Sequence, residues 1–213
     1  MYRKIGALSA FSLMELLIVI GIIGLLAAMA MPSSQSLLRG WRLTMGTRAV
    51  VDKLNLARQT ALTKNHTVEV RFYQYGDAAQ GEEPSLPQGG KYRAVGLFEI
   101  NPKTGAYTSV GKLEHLPLSV IMDRNPQLSS LFNFSSPKAG SSAWGAIPRV
   151  GTAYNFIAFQ FFPDGSTNLY PSNSLWFLCF HGSSYGDFLA SLPPNYYTVQ
   201  IDPYNGHVKT YRP

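Results

Sequence analysis

Residues 11–32 read FSLMELLIVIGIIGLLAAMAMP, and this stretch decides how the rest of the chain is organised. From Phe11 to Met31 the sole ionisable side chain is Glu15. An α-helix of this length is roughly 31 Å long, close to the hydrocarbon thickness of a bilayer. The stretch therefore predicts a transmembrane helix over 11–31. Because a carboxylate is costly inside a membrane, Glu15 indicates a function, unless it lies near the headgroups and is merely tolerated there.

The ten residues before this stretch form a short leader with two basic side chains, Arg3 and Lys4. The positive-inside rule places both in the cytoplasm and the chain after Pro32 outside it. An ordinary signal peptide starts in the same way and ends in a small-residue cleavage site, which AAMAMP loosely fits. The length of the apolar run and the presence of Glu15 favour the membrane helix.

The composition of the chain is that of a globular protein, with 46% apolar and 14% charged residues. The roughly 150 residues after Lys64 suit one domain. The formal net charge of +6 permits an anionic partner without requiring one. The single cysteine, Cys179, excludes an internal disulfide and a multi-cysteine metal site, and no cofactor motif is present.

A helical period continues for about thirty residues beyond Pro32. The apolar positions form two adjoining stripes: Leu38, Trp41, Met45 and Ala49 in one, and Leu43, Thr47, Val50, Leu54, Ala57 and Ala61 in the other. The pattern predicts one nearly continuous helix over 12–64, with a bend at Pro32. Its amphipathic half, 32–64, requires an apolar surface to pack against.

The residues after Lys64 alternate instead. HTVEVRFYQY predicts a half-buried strand with Val68, Val70 and Phe72 inward and with Thr67, Glu69, Arg71 and Tyr73 outward. Seven further segments predict strands: KYRAVGLFEI, AYTSVGKLEH, LSVIM, YNFIAFQFF, LWFLCFH, YYTVQID and HVKTY. The fold class is α+β, a long helix packed on an antiparallel β-sandwich-like head over 65–213, with curled sheets as the alternative. Residues 76–91 and 133–153 are expected to be loops, the second anchored by Trp144.

The N-terminal stretch resembles the leader and helix of type IV pilins and type II secretion pseudopilins. In that family, a prepilin peptidase cuts before a Phe and methylates the new N-terminus. A cut between Ala10 and Phe11 makes Glu15 the fifth mature residue and Pro32 the twenty-second, matching the family's glutamate and helix-bending proline. The family usually has Gly before the cut, where this chain has Ala10.

The resemblance implies roles for these residues. Glu15 is expected to pair with the Phe11 amine of an adjacent subunit and so to fix the register of assembly. Gly24 is expected to let helices approach closely or lose helicity in a filament, although an ordinary membrane-helix glycine fits as well. The implied partners are the prepilin peptidase/methyltransferase, other pilin or pseudopilin subunits, and an inner-membrane assembly platform. The implied location is the bacterial inner membrane, with the head in the periplasm until the subunit joins a periplasmic or extracellular filament.

A narrower resemblance concerns the head. LARQTALTKNHTVEVRF, FQFFPDGST and IDPYNGHVKTYRP are similar to segments of the H-type minor pseudopilin and the FimT-type minor pilin. Length and leader also resemble the Verru/Chthon cassette protein D group. FimT-type pilins are associated with DNA uptake, so DNA is an alternative partner, with Lys209, Arg212 and His207 as the candidate contacts beside Tyr204 and Tyr211.

Two other classes of function remain open. Cys179 and His181 share a face of one predicted strand, which is compatible with a thiolate pair, but no oxyanion or nucleophile motif accompanies them. An enzyme is therefore not expected. A plain membrane-anchored binding domain would need neither processing nor assembly.

Overall fold

The computed structural model describes residues 12–83, 90–140, 144–148, 150–169 and 176–213, and the side chains of 29–36 lie outside this description. One helix, α1, runs from Leu13 to Lys64, which is close to the range 12–64 expected from the sequence. The leader and Phe11 lie outside the described residues. The chain divides into two compact units, Met1–Leu38 and Arg39–Pro213.

One of the two predicted helical stripes forms the core. Leu43, Thr47, Val50, Leu54, Ala57 and Ala61 are all buried. Trp41 and Met45, from the neighbouring stripe, remain exposed. A helix resting on a sheet buries only one side, so the sequence identified both stripes but could not rank them.

Within the described residues, ten strands follow α1, and all of their pairings are antiparallel. They are β1 (Val68–Tyr75), β2 (Lys91–Ile100), β3 (Tyr107–Ser109), β4 (Glu114–His115), β5 (Val120–Met122), β6 (Lys138–Ala139), β7 (Asn155–Phe161), β8 (Trp176–Gly182), β9 (Tyr196–Ile201) and β10 (Val208–Tyr211). The predicted strand segments are confirmed, and AYTSVGKLEH splits into β3 and β4. Only β6, two residues within the expected 133–153 loop, was not predicted.

The strands form a single sheet in the order β10-β9-β8-β5-β2-β1-β7-β6, with β3 and β4 also paired to β2. β7 and β9 are well separated in this order, yet the segments that follow them meet. Thr167 N donates to Pro203 O at 3.0 Å, and a Cβ on Gly206 would lie 2.8 Å from Phe161 Cε1. The sheet is therefore curled, which is the second of the two predicted arrangements.

The prediction for β1 was wrong in one respect. All eight residues of β1 are buried, including the side expected to face solvent. The face packed on α1 belongs to the main core, while Tyr73 and Tyr75 pack with Ile147, Tyr154 and Phe156 in a second cluster. The expected 133–153 loop supplies part of this second layer. A central strand with layers on both faces has no solvent side.

Candidate functional site

The N-terminal part of α1 exposes apolar side chains all around the helix. Leu13 is 83% exposed, and every large hydrophobic side chain described from Met14 to Leu26 is exposed. Soluble monomers rarely leave so large an apolar surface uncovered. This half of the helix therefore requires a partner surface, whether lipid or protein.

Glu15 lies in the first turn of α1 and is exposed. Its backbone N–H donates to Ser12 Oγ at 3.3 Å, so Ser12 acts as the N-terminal cap. Ser12 and Glu15 have the spacing of a capping box, a signal that the sequence interpretation missed. The carboxylate makes no ion pair within the described part of the chain. Its expected partner, the Phe11 amine, lies outside the described residues, as does Ala10.

Gly24 and Pro32 both lie within α1. A Cβ added at Gly24 would find no atom within 4 Å, so this position leaves open space beside the helix. Such space is compatible with close approach of a second helix. The helix continues through Pro32, whose side chain is not described. The bend predicted at Pro32 stays a prediction.

The candidate DNA contacts lie at the C-terminal edge of the sheet but not on one face. Val208 packs against the main core, so Lys209 points to the opposite face of β10. Arg212 instead turns to Tyr197, with Nη1 donating to the hydroxyl at 3.2 Å and the guanidinium 5.1 Å from the ring centroid. His207 is exposed in the turn before β10. DNA binding by the three residues together stays a prediction, and this division does not favour it.

The structure places a buried ion pair on the second face of β1, where solvent-facing residues were expected. Glu69 is 2% exposed and Arg71 is 1% exposed. Arg71 Nε donates to Glu69 Oε1 at 2.6 Å, and Gln160 Nε2 donates to Glu69 Oε2 at 3.1 Å. Four aromatic rings lie within 5 Å of the guanidinium carbon: Phe98, Tyr107, Trp144 and Phe156. Trp144 was predicted to anchor the 133–153 loop, and this is confirmed, because its ring packs on the Arg71 guanidinium.

A second buried polar pair links β8 to the segment after β5. His181 Nε2 lies 2.9 Å from Asp123 Oδ2, and both side chains are fully buried. His181 Nδ1 lies 2.9 Å from the Gly182 carbonyl, which can only accept, so this nitrogen carries a proton. Asp123 also accepts backbone N–H bonds from Asn125 and Leu189. The pair therefore fixes the β8–β9 connection to the sheet.

This arrangement weakens the thiolate hypothesis for Cys179. Both nitrogens of His181 are engaged elsewhere, so neither is free to take the thiol proton. Burial raises the pKa of Cys179 to about 12, with the nearby Asp123 charge adding to the effect. A thiol with such a pKa is protonated and unreactive at neutral pH.

Among the described residues, no helix contains a segment that is both long and apolar enough to cross a membrane.

No protein-family model matches the sequence. No curated protein matches it either. One solved structure is similar: the minor pseudopilin EpsH from the type 2 secretion system of Vibrio cholerae. The identity is 10%, the TM-score is 0.43, and the match covers 81% of this chain and 98% of the other. This is a distant likeness, below the level that establishes a common fold.

Proposed function

We propose that this chain is a pilin-like minor subunit of a type II secretion pseudopilus or type IV pilus. The observation that carries the proposal is that the two ends of α1 have different surroundings. Its C-terminal half packs on the folded β head, while the described part from Leu13 to Leu26 exposes large apolar side chains on all sides. A helix of this kind suits a subunit that exchanges one apolar environment for another, since lipid and neighbouring helices can each cover it.

Processing would prepare this helix for assembly. Cleavage between Ala10 and Phe11 by a prepilin peptidase creates an α-amine, which has a reference pKa near 8 and is largely protonated at neutral pH. Glu15 carries the opposite charge one helical turn along the chain. In an apolar setting, pairing with the amine of the next subunit is far more favourable than leaving either charge alone. The pair would therefore select one stacking register.

The partners follow from this mechanism. The prepilin peptidase/methyltransferase and the assembly platform act at the inner membrane, where segment 11–31 holds the subunit before assembly. The head then lies in the periplasm and joins the filament together with other pilin or pseudopilin subunits. No residue of the head is assigned a catalytic role.

Intact mass and N-terminal sequencing of the protein recovered from membranes would test this function. We expect a chain that begins at Phe11 and carries one added methyl group. A chain that begins at Met1 would contradict the proposal and indicate a static anchor. A chain that begins after Met31 would identify an ordinary signal peptide and would remove the role assigned to Glu15.

A further inference from the structure

A group of exposed apolar and basic side chains surrounds the point where α1 enters the head. We define it as the collar: Trp41, Leu118 and Leu192, with Arg39, Arg42 and Arg212. We propose that the collar is a lipid-binding surface that seats the head of the unassembled subunit on an anionic bilayer. This inference rests on the proposed function, because it requires that segment 11–31 be held in the membrane.

Direct contacts bring two loops of the head to this part of α1. On one side, a Cβ at Gly46 would lie 3.0 Å from Pro117 Cδ, which places Leu118 beside the helix. On the other side, a Cβ at Gly40 would lie 3.8 Å from Asn195 Nδ2, three residues after Leu192. Thr44 Oγ1 and the hydroxyl of Tyr197, at the start of β9, lie 3.1 Å apart, so the strand that directly follows this second loop also contacts α1. The collar is therefore a set of positions fixed by packing.

The apolar members of the collar are large and exposed. Trp41 is 62% exposed, Leu118 is 63% exposed and Leu192 is 44% exposed. Leu118 and Leu192 lie in loops, where a polar residue would usually be found. Tryptophan is enriched at membrane–water interfaces because its ring is apolar at one end and polar at the other.

The charge of the collar is uniformly positive. Residues 37–51 contain Arg39, Arg42 and Arg48 and no acidic residue, and residues 116–119 and 190–197 contain no charged residue. Arg212 joins the collar by donating to the Tyr197 hydroxyl at 3.2 Å. Basic side chains near an anionic lipid surface strengthen binding to it. Apolar residues combined with arginines fit lipid better than they fit a second, equally positive collar.

The sequence also keeps the collar near the proposed membrane segment. Arg39 follows Met31 by only eight residues. A chain of that length cannot extend beyond about 28 Å, whatever its conformation. Lipid contact would stabilise one orientation of the head on the bilayer while the subunit is in the membrane. The contact would be lost when the subunit leaves the membrane to join the filament.

Site-specific quenching in the full chain would test the proposal. Leu118→Cys and, as the matched control, Thr104→Cys would each carry a polarity-sensitive dye. The native Cys179 is buried and would not be labelled. Thr104 lies in the turn after β2, whose Glu99 pairs with Lys64 at the other end of the helix. The chain would be reconstituted in vesicles of phosphatidylcholine with or without 30% phosphatidylglycerol, which contain headgroup-labelled nitroxide lipid.

With phosphatidylglycerol present, we expect quenching at position 118 to be at least twofold stronger than at position 104. Arg39→Gln/Arg42→Gln should reduce it to the level of position 104, while Lys103→Gln/Lys209→Gln should leave it unchanged. Equal quenching at the two positions, or no effect of the anionic lipid, would overturn the proposal. A dye shift in lipid-free detergent that grows with protein concentration would also overturn it, because a second copy would then cover the collar.

The same samples separate the two hypotheses. If carbonate extraction releases the chain from the vesicles, the proposal that segment 11–31 holds the subunit in the membrane is wrong, and the collar inference fails with it. If the chain stays in the vesicles but position 118 is not quenched, only the collar inference fails.

Discussion

Arg71 shows how a single residue can organise a whole layer of the head. Its guanidinium carbon lies 4.0 Å from the Phe98 ring centroid and 4.7 Å from that of Trp144. Each such contact contributes about 0.5–2 kcal/mol, more where water is excluded. Trp144 belongs to the segment after β6, so Arg71 holds that segment against the sheet. Glu69 neutralises the charge, and without it a bare cation would remain buried.

Removing Glu69 should therefore destabilise the head strongly. We expect Glu69→Ala to lower the free energy of unfolding by about 3–5 kcal/mol, because Arg71 would lose its counter-ion in an apolar layer. Urea unfolding of the full chain in detergent, followed by tryptophan fluorescence, would measure this loss. Asp52→Ala, an exposed acidic control, should change stability by less than about 0.5 kcal/mol. The double variant Glu69→Leu/Arg71→Met should recover most of the loss, and an equally unstable double variant would contradict the explanation.

Glu15 lies in the helix turn that Ser12 caps, so the proposed pairing role of its carboxylate has to be separated from an effect on the helix cap. We expect Glu15→Ala to insert and to be cleaved but not to enter filaments, because the register-fixing charge is gone. Ser12→Ala is the matched control, since it removes the helix cap at a cost of about 1 kcal/mol and keeps the carboxylate. Immunoblotting of sheared filaments and of membranes would measure both steps. Normal incorporation of Glu15→Ala, or equal failure of Ser12→Ala, would contradict the pairing role.

At the scale of elements, α1 is one helix with two different surroundings. From Leu43 onward, its buried stripe packs on Val68, Val70 and Phe72 of β1. Near its N-terminus, no comparable packing occurs within the described residues. Packing, and not intrinsic propensity, supplies most of the stability of a helix in a folded protein. The C-terminal half of α1 should therefore depend on the head.

Two leucines of α1 test this dependence. Leu54 is fully buried, whereas Leu56 is 41% exposed on the outer side of the same helix. We expect Leu54→Ala to cost about 2.7–5 kcal/mol, since it leaves a cavity between α1 and the sheet. Leu56→Ala should cost less than about 1 kcal/mol. Chemical denaturation of the two variants would measure the difference, and similar costs would contradict the assignment of the buried stripe.

At the scale of the whole molecule, the two layers cover several phenol groups wholly or in part. Burial raises the pKa of Tyr73 and of Tyr75 to about 12 in each case, and it also raises the pKa of Tyr92, Tyr107 and Tyr154. A raised pKa means that the folded state favours the neutral phenol. Its contribution to stability is complete below pH 10, the ordinary phenol value, and is lost as the pH rises through the folded pKa.

We therefore expect the free energy of unfolding to fall between about pH 10 and pH 12. The unfolded chain ionises first and is stabilised by about 1.4 kcal/mol per pH unit for each phenol that the fold keeps neutral. Urea unfolding at a series of pH values, with tyrosinate absorbance as a second signal, would measure the slope. Tyr92→Phe should reduce the slope, whereas Tyr204→Phe should not, because Tyr204 is 69% exposed. A slope unaffected by Tyr92→Phe would contradict the prediction.

The local pattern of apolar and polar residues in the sequence determined most of the helix and strand assignments. The apolar run and the helical period predicted a helix over 12–64, and α1 spans Leu13–Lys64. Alternation and turn residues predicted the strand segments, since a sheet with one apolar face leaves a period of two in the sequence. These features depend on neighbours in sequence, so the sequence alone contains them.

Only the tertiary structure decided which surfaces are covered. Glu69 and Arg71 alternate like solvent-facing residues, yet distant aromatic rings enclose them. Lys209 and Arg212 are close in sequence but diverge because β10 alternates and Tyr197 holds the arginine. The collar joins α1 to loops that lie far along the chain. Burial depends on contacts between segments distant in sequence, and no local pattern records which distant segment arrives.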